Sequence, residues 1–278
     1  MYFIDTHAHI DMLKSLSPEE AVARSTGEGV KYIINVGSSL KGSRKSVEFA
    51  RKFENVFASV GVHPHYAKDF GDKEIEALEL LIQGFINGVY DNRDKSKDNV
   101  EKDKKFNKVV AVGETGFDFY RNLSPRKDME KAFISQIELA LKYDIPVIIH
   151  DRDAHKHTLD IVKKYADNKR FRAVVHCFSG DIGFANQCID LGLYISFTGV
   201  ITFPNAYNIL KVIEKVPIER IFIETDAPFL APQIRRGEEN YPGYVKYVAE
   251  KIAEIKSLSI NEVADITSKN AEVFFSLK

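Results

Sequence analysis

Imidazole and carboxylate side chains hold divalent cations, and this sequence puts them at one recurring kind of place, the end of an apolar run. Thr6-His7-Ala8-His9 closes the first such run and Gly113-Glu114-Thr115-Gly116 closes another. Ile149-His150-Asp151, Val175-His176-Cys177 and Glu224-Thr225-Asp226 close three more. Residues two apart on a strand point to the same face, so the rings of His7 and His9 can reach one ion. Taken singly, each histidine is better explained by a backbone carbonyl that satisfies it in the core. Taken together they are not, because burying so many ionisable groups without a cation carries a heavy desolvation cost. The six donors His7, His9, Glu114, His150, His176 and Asp226 exceed what one tetrahedral ion uses. The expectation is therefore two divalent ions, with Glu114 able to bridge them; Mg, Mn or Zn would suit the set.

The elements that must position these groups read as an alternation. Short β-branched runs at Tyr2–Thr6, Lys31–Val36, Val56–Val62, Val109–Gly113, Pro146–Ile149, Ala173–Val175, Leu193–Phe197 and Arg220–Thr225 predict eight strands. Several are apolar at every position, as in Tyr32-Ile33-Ile34, which fits strands buried on both faces. Between them, Pro18–Glu28, Lys41–Phe53, Asp72–Asn87, Pro125–Tyr143, Ala154–Ala166, Ile182–Leu191, Ala206–Lys215 and Tyr244–Leu258 have helical spacing. Ile260–Phe275 adds a terminal helix. Eight such units over 278 residues predict a single-domain (β/α)8 TIM barrel of the metal-dependent hydrolase type, in which functional groups sit at the C-terminal strand ends. An open doubly wound sheet is the alternative. One segment, about 88–108, is crowded with charges of both signs and reads as a solvated surface insertion.

Composition narrows the class further. The formal net charge of -1 offers no global attraction for polyanions, so any nucleic-acid contact must be local. Two cysteines, Cys177 and Cys188, are too few for a disulfide framework and suit a reducing cytoplasm. The first residues lack the charged and apolar regions of a signal peptide, and no apolar run has membrane-spanning length. The expectation is a cytoplasmic enzyme without a membrane partner.

The blocks Asp5-Thr6-His7-Ala8-His9, Gly61-Val62-His63-Pro64-His65, Gly113-Glu114-Thr115-Gly116-Phe117-Asp118 and His176-Cys177-Phe178-Ser179-Gly180 resemble the signatures of the TatD family of metal-dependent hydrolases. So does Glu224-Thr225-Asp226-Ala227-Pro228-Phe229-Leu230-Ala231-Pro232, and the likeness runs in order along essentially the whole chain. The resemblance implies an amidohydrolase-like barrel, a binuclear site held by the same six residues, and 3′→5′ exonuclease action on single-stranded DNA ends. The sequence departs from that pattern after the last block. Where relatives often carry Arg-Gly-Lys-x-Asn-Glu-Pro, this chain reads Arg236-Gly237-Glu238-Glu239-Asn240-Tyr241-Pro242, which bears on substrate preference.

Roles follow for the surrounding residues. Asp226 doubles as a general base for the attacking water, and Glu114 is the second catalytic carboxylate. His63, at the end of the third strand, could bind a phosphate oxygen or merely cap its loop. Arg152 could hold a phosphate in a bidentate manner. Ser179 and Gly180 offer hydroxyl and amide donors. Arg235 and Arg236 are either a positive patch or solvated surface. Tyr120 and Phe119 could stack on a base or simply pack. His155 and His157 read as surface residues of the next helix, His65 stays open, and alternation turns Cys177 away from the mouth. Two other functions compete: hydrolysis of an ester, amide or aminoacyl-tRNA bond on the same scaffold, and metal binding without catalysis. The presence of Asp226 disfavours the last.

Overall fold

A parallel strand covered by helices outside and by other strands inside must be apolar on both faces. That requirement is met by β1 (Phe3–Ala8), β2 (Val30–Val36), β3 (Val56–Val60), β4 (Val109–Asp118), β5 (Val147–Arg152), β6 (Ala173–His176), β7 (Tyr194–Phe197) and β8 (Ile221–Ile223). In the computed structural model, which describes residues 1–84 and 108–277, these eight pair in parallel in sequence order. The described helices are α1 (Pro18–Gly27), α2 (Leu40–Lys52), α3 (Asp72–Ile82), α4 (Arg126–Tyr143), α5 (His155–Val162), α6 (Ile182–Asp190), α7 (Tyr207–Lys215), α8 (Val245–Lys256) and α9 (Ile260–Phe274). The result is a nearly closed (β/α)8 barrel, as the alternation predicts. The end of the expected Asp72–Asn87 helix and nearly all of the 88–108 insertion lie outside the described residues. Lys108, which is described, donates its ammonium to the carbonyls of Phe53 and Glu54 at 2.9 and 2.7 Å.

The strand period of two carries the architecture into the site. A compact apolar cluster holds Ile4, Ile34, Phe57, Val110, Ile148, Val174 and Phe222, one from each of seven strands, together with Phe274 and Phe275 at the end of α9. It fills the barrel interior. Two residues further along the same faces come His150 after Ile148, His176 after Val174 and Glu224 after Phe222, so the interior turns from apolar to ionisable at the mouth. Ile4 and His7 are three apart, an odd step that alternation alone would place on opposite faces. The β1–β2 register shifts between Asp5 and Ala8, and this extra residue brings both inside. Strand β4 shifts likewise between Val112 and Thr115, around Glu114. Gly113 and Gly116, with φ of 139° and 137°, permit that bend, and a Cβ on either would strike the backbone of β5.

Strand β8 is only three residues long, so side chains complete the seam to β1. The Asp5 carboxylate accepts from Thr225 N at 2.9 Å, Thr225 Oγ1 at 2.6 Å and His7 N at 3.2 Å. Two backbone bonds flank it, Asp226 N to His7 O at 2.8 Å and His9 N to Ala227 O at 2.7 Å. Burial pushes the Asp5 carboxyl up to about 8, so this is a costly group retained for the bonds it accepts. Replacing it leaves buried donors unpaired. Asp5→Ala is expected to lower the metal-free protein's unfolding free energy by about 2–4 kcal/mol, read from urea midpoints; a change below about 0.5 kcal/mol would show that the seam does not rely on it.

Candidate metal centre

Four donors meet first where β1 and the loop after β8 face β4. His7 Nε2 and His9 Nε2 lie 3.3 Å apart. Glu114 carboxylate oxygens are 3.8 Å from His7 Nε2 and 3.5 Å from His9 Nε2. Asp226 Oδ1 is 3.8 and 3.4 Å from the same two nitrogens. A second set shares Glu114: its Oε2 is 2.9 Å from His176 Nε2 and 3.5 Å from His150 Nδ1, which are 3.2 Å from each other. Ligands about 2.1 Å from a tetrahedral ion stand about 3.4 Å from one another. The spacing of both sets fits that figure, and nitrogen with oxygen donors suits Zn, Mn or Mg. All six sequence-derived candidates thus converge, with Glu114 common to both groups.

What holds the rings was less visible in the sequence. His9 Nδ1 lies 2.8 Å from the Val36 carbonyl, which makes that nitrogen the proton carrier and leaves Nε2 to face the site. Glu224 stands behind His176, 3.5 Å from its Nδ1, and accepts from Cys177 N at 2.7 Å. Asp118 stands 3.4 Å behind His150 Nε2 and also binds His65 Nε2 at 2.8 Å and Arg121 N at 2.7 Å. Both carboxylates sit in the signature blocks, and the shared face of Phe222 and Glu224 was the available signal for one of them. His7 Nδ1 has no hydrogen-bond partner among the described residues, and its ring stacks on His176 at 4.0 Å.

Charge at the centre is tightly coupled. Burial opposes ionisation of Glu114, yet His63, His150 and His176 hold it well below the usual carboxylate range. Burial likewise opposes a proton on His9, but Asp226 and Glu114 outweigh it and raise the ring to about 9. His176 is raised well above its ordinary value by Glu114 and Glu224 in the same way. His7 moves the other way, through burial and the neighbouring His176. Protons thus occupy places that a divalent ion would take.

The substrate-side candidates fare unevenly. His63 is buried, and burial lowers its pKa well below the usual value. Its Nδ1 accepts from His65 N at 3.1 Å, so the neutral ring carries its proton on Nε2. One of its nitrogens lies within 4.8 Å of donors on Glu114 and His150. Arg152 lies over the Tyr120 ring at 4.0 Å, and Arg235 is engaged by Tyr247 at 3.0 Å. Ser179 is exposed at the loop after β6, while Gly180 is squeezed between Phe178 and Phe184, where a Cβ would collide with the Phe184 ring and crowd that of Phe178. Packing accounts for that glycine. Arg236 lines an apolar cleft.

One expectation needs amendment. Cys177 is not turned away by strand alternation, because β6 ends at His176 and Cys177 adopts a left-handed φ of 45°. Burial and the charges of Asp226 and Glu224 push its thiol well up, which still argues against a nucleophile. His155 lies, as expected, on the next helix, at its first position; Asp151 binds its Nδ1 at 2.5 Å, and its ring stacks on Phe184 at 4.3 Å. His65, left open by the sequence, belongs with Asp118. The departures after β8 are structural. Glu239 accepts from Lys14 N and Ser15 N at 2.9 and 2.7 Å, Glu238 takes the Tyr244 hydroxyl, and buried Tyr241 binds Glu28.

A parallel barrel whose mouth gathers four histidines around a shared carboxylate defines a metal-dependent hydrolase. The family model described as TatD related DNase matches residues 4–276, and the chain belongs to that family. It is 34% identical over 274 residues to the uncharacterized metal-dependent hydrolase YabD of Bacillus subtilis, covering 98% of each chain. The 3'-5' ssDNA/RNA exonuclease TatD of Salmonella typhimurium is 30% identical over 264 residues, 93% of each chain. The crystal structure of YJJV, a TatD homologue from Escherichia coli, superposes with a TM-score of 0.85 at 28% identity, covering 99% of this chain and 98% of that one. No helix among the described residues is long and apolar enough to cross a membrane.

A ligand nitrogen must be bare, so metal uptake has to displace the protons that His9 and His176 hold. Apparent metal affinity is expected to fall as pH falls below the His9 value of about 9, with protons released on binding. Calorimetry in buffers of different ionisation enthalpy measures the release; affinity unchanged between about pH 6 and 9 would contradict this picture. His150→Ala is expected to bind fewer ions by metal analysis while keeping its circular dichroism.

Proposed function

We propose that this protein is a metal-dependent deoxyribonuclease that shortens single-stranded DNA from the 3′ end, using two divalent ions. The observation that carries the reading is the pair of donor sets joined through Glu114, each at ligand spacing. Two ions bound there would supply an activated water and neutralise charge on the phosphoryl group under attack. Asp226, with 16% of its side chain exposed, reaches the open side of the site and takes the proton from the attacking water. His63 turns an Nε2 proton toward a non-bridging phosphate oxygen; with its Nδ1 taken by the His65 amide, that proton keeps Nε2 a donor. Arg236 and Ser179 remain as phosphate contacts at the rim, joined by Arg152 if it leaves Tyr120. Gly180 supplies its amide only.

The 3'-5' ssDNA/RNA exonuclease activity for which the Salmonella relative is named agrees with this substrate class. A net charge of -1 suits an enzyme that grips a chain end rather than one that coats duplex. The two cysteines, both free, suit a reducing cytoplasm. The whole chain, 1–278, is read as one catalytic domain.

The test is incubation of the metal-loaded protein with end-labelled single strands in Mg, Mn or Zn. Metal-dependent laddering from the 3′ end is expected; hydrolysis of carboxylic esters or amides without any cleavage of DNA or RNA would replace the proposal. His63→Ala should lower kcat about 100-fold with metal content retained, as removal of one transition-state donor does.

A further inference from the structure

The mouth is not polar all round. Tyr66, Tyr120, Leu123, Val200, Phe229, Leu230 and Ile234 are exposed, and all stand in loops that follow strands. Apolar surface gathered around a site marks something that binds there. These residues form two walls. One lies between the loops after β7 and β8, a cleft of about 400 Å³ lined by Val200, Phe203, Leu230, Ala231 and Arg236. Phe229, the chain neighbour of Leu230, lies on the side of the metal centre: its ring is 6.3 Å from that of His9 and its amide donates to the Asp226 carbonyl at 2.9 Å.

The other wall follows β4 and β5. Arg152, two residues beyond His150, holds its guanidinium 4.0 Å above the ring of Tyr120, which is 60% exposed. Ser124 ties the neighbouring loops together, donating to the His65 carbonyl at 2.9 Å and accepting from Lys68 N at 3.1 Å, so Tyr66 and Leu123 join this side. Strands β4 and β8 are four apart in an eight-stranded ring. The walls therefore face each other across the mouth, with Glu114 and Asp226 between them.

We propose that a single-stranded oligonucleotide spans the mouth, with one base in the Val200–Leu230 cleft and another stacked at Tyr120 on the far side of the scissile phosphate. This rests on the nuclease reading and names the subsites of that substrate. Each wall pairs an apolar surface with an arginine, the combination that binds a base and its phosphate. A small ester would occupy one wall only. A duplex keeps its base faces stacked on each other and can offer them to neither.

The probe is a series of fluorescein-labelled, phosphorothioate-linked oligothymidylates of increasing length, bound to the metal-loaded protein and followed by anisotropy. Affinity should climb until both walls are spanned and then level off. Tyr120→Ala and Leu230→Asp should each weaken binding about tenfold, within the range for loss of one stacked base, and raise KM more than they lower kcat. Tyr120→Phe should restore binding, and Val273→Ala, an exposed apolar residue on α9, should change nothing. If wild type neither binds nor cuts any oligonucleotide, the nuclease reading itself falls. If wild type cuts single strands but either wall variant binds like wild type, the two-wall path is wrong and the nuclease stands.

Discussion

A buried carboxylate at the barrel mouth is the group on which the rest depends. Glu114 is 5% exposed and faces imidazole nitrogens from β1, β5 and β6. A lone carboxylate removed from water is prohibitively unstable, so positive charge must stand beside it. In the metal-free protein, protons on His9 and His176 provide that charge; a divalent ion provides it more strongly and from a fixed position. The same balance explains why the rings are held from behind by Val36, Asp118 and Glu224. A ligand free to rotate would swing away from Glu114 and leave it unpaired.

Rigid strands alone would not deliver these groups. Two local breaks in regularity do: the register shift in β1 turns His7 inward, and the glycine-flanked shift in β4 brings Glu114 to the same point. Both sit where the apolar interior gives way to ionisable residues. Asp226 comes by a third route, three residues past the end of β8 in a left-handed conformation. Its loop is fixed by Asn240, whose amide donates to the carbonyls of Thr225 and Phe229 at 2.9 and 2.5 Å. The seam at Asp5 and the site at Asp226 are thus one construction, since Thr225 serves both.

The segment after β8 builds one side of the rim. Asn240 within it holds the Asp226 loop. Around it, Glu238, Glu239 and Tyr241 lock the segment to the loop after β1, to Tyr244 and to Glu28. These contacts stabilise the rim and leave Arg236 at the cleft.

The sequence by itself determined the eightfold alternation of strands and helices and pointed to six candidate ligands, because strand alternation and the position of ionisable residues after apolar runs are local patterns; that the strands form a barrel and not an open sheet was decided by their tertiary pairing. Helix ends were also largely local: the capping boxes at Ser17 and Ser259 mark α1 and α9. The tertiary structure alone decided which partners those candidate residues have. Nothing local pairs Asp118 with His150, Glu224 with His176 or Arg152 with Tyr120, and nothing local shows that Gly180 answers to Phe184. Alternation failed for Cys177 because it assumed a strand one residue longer than the one that forms. Bulges escaped for a related reason: a register shift is set by hydrogen bonds to a neighbouring strand, so its position depends on two distant segments at once.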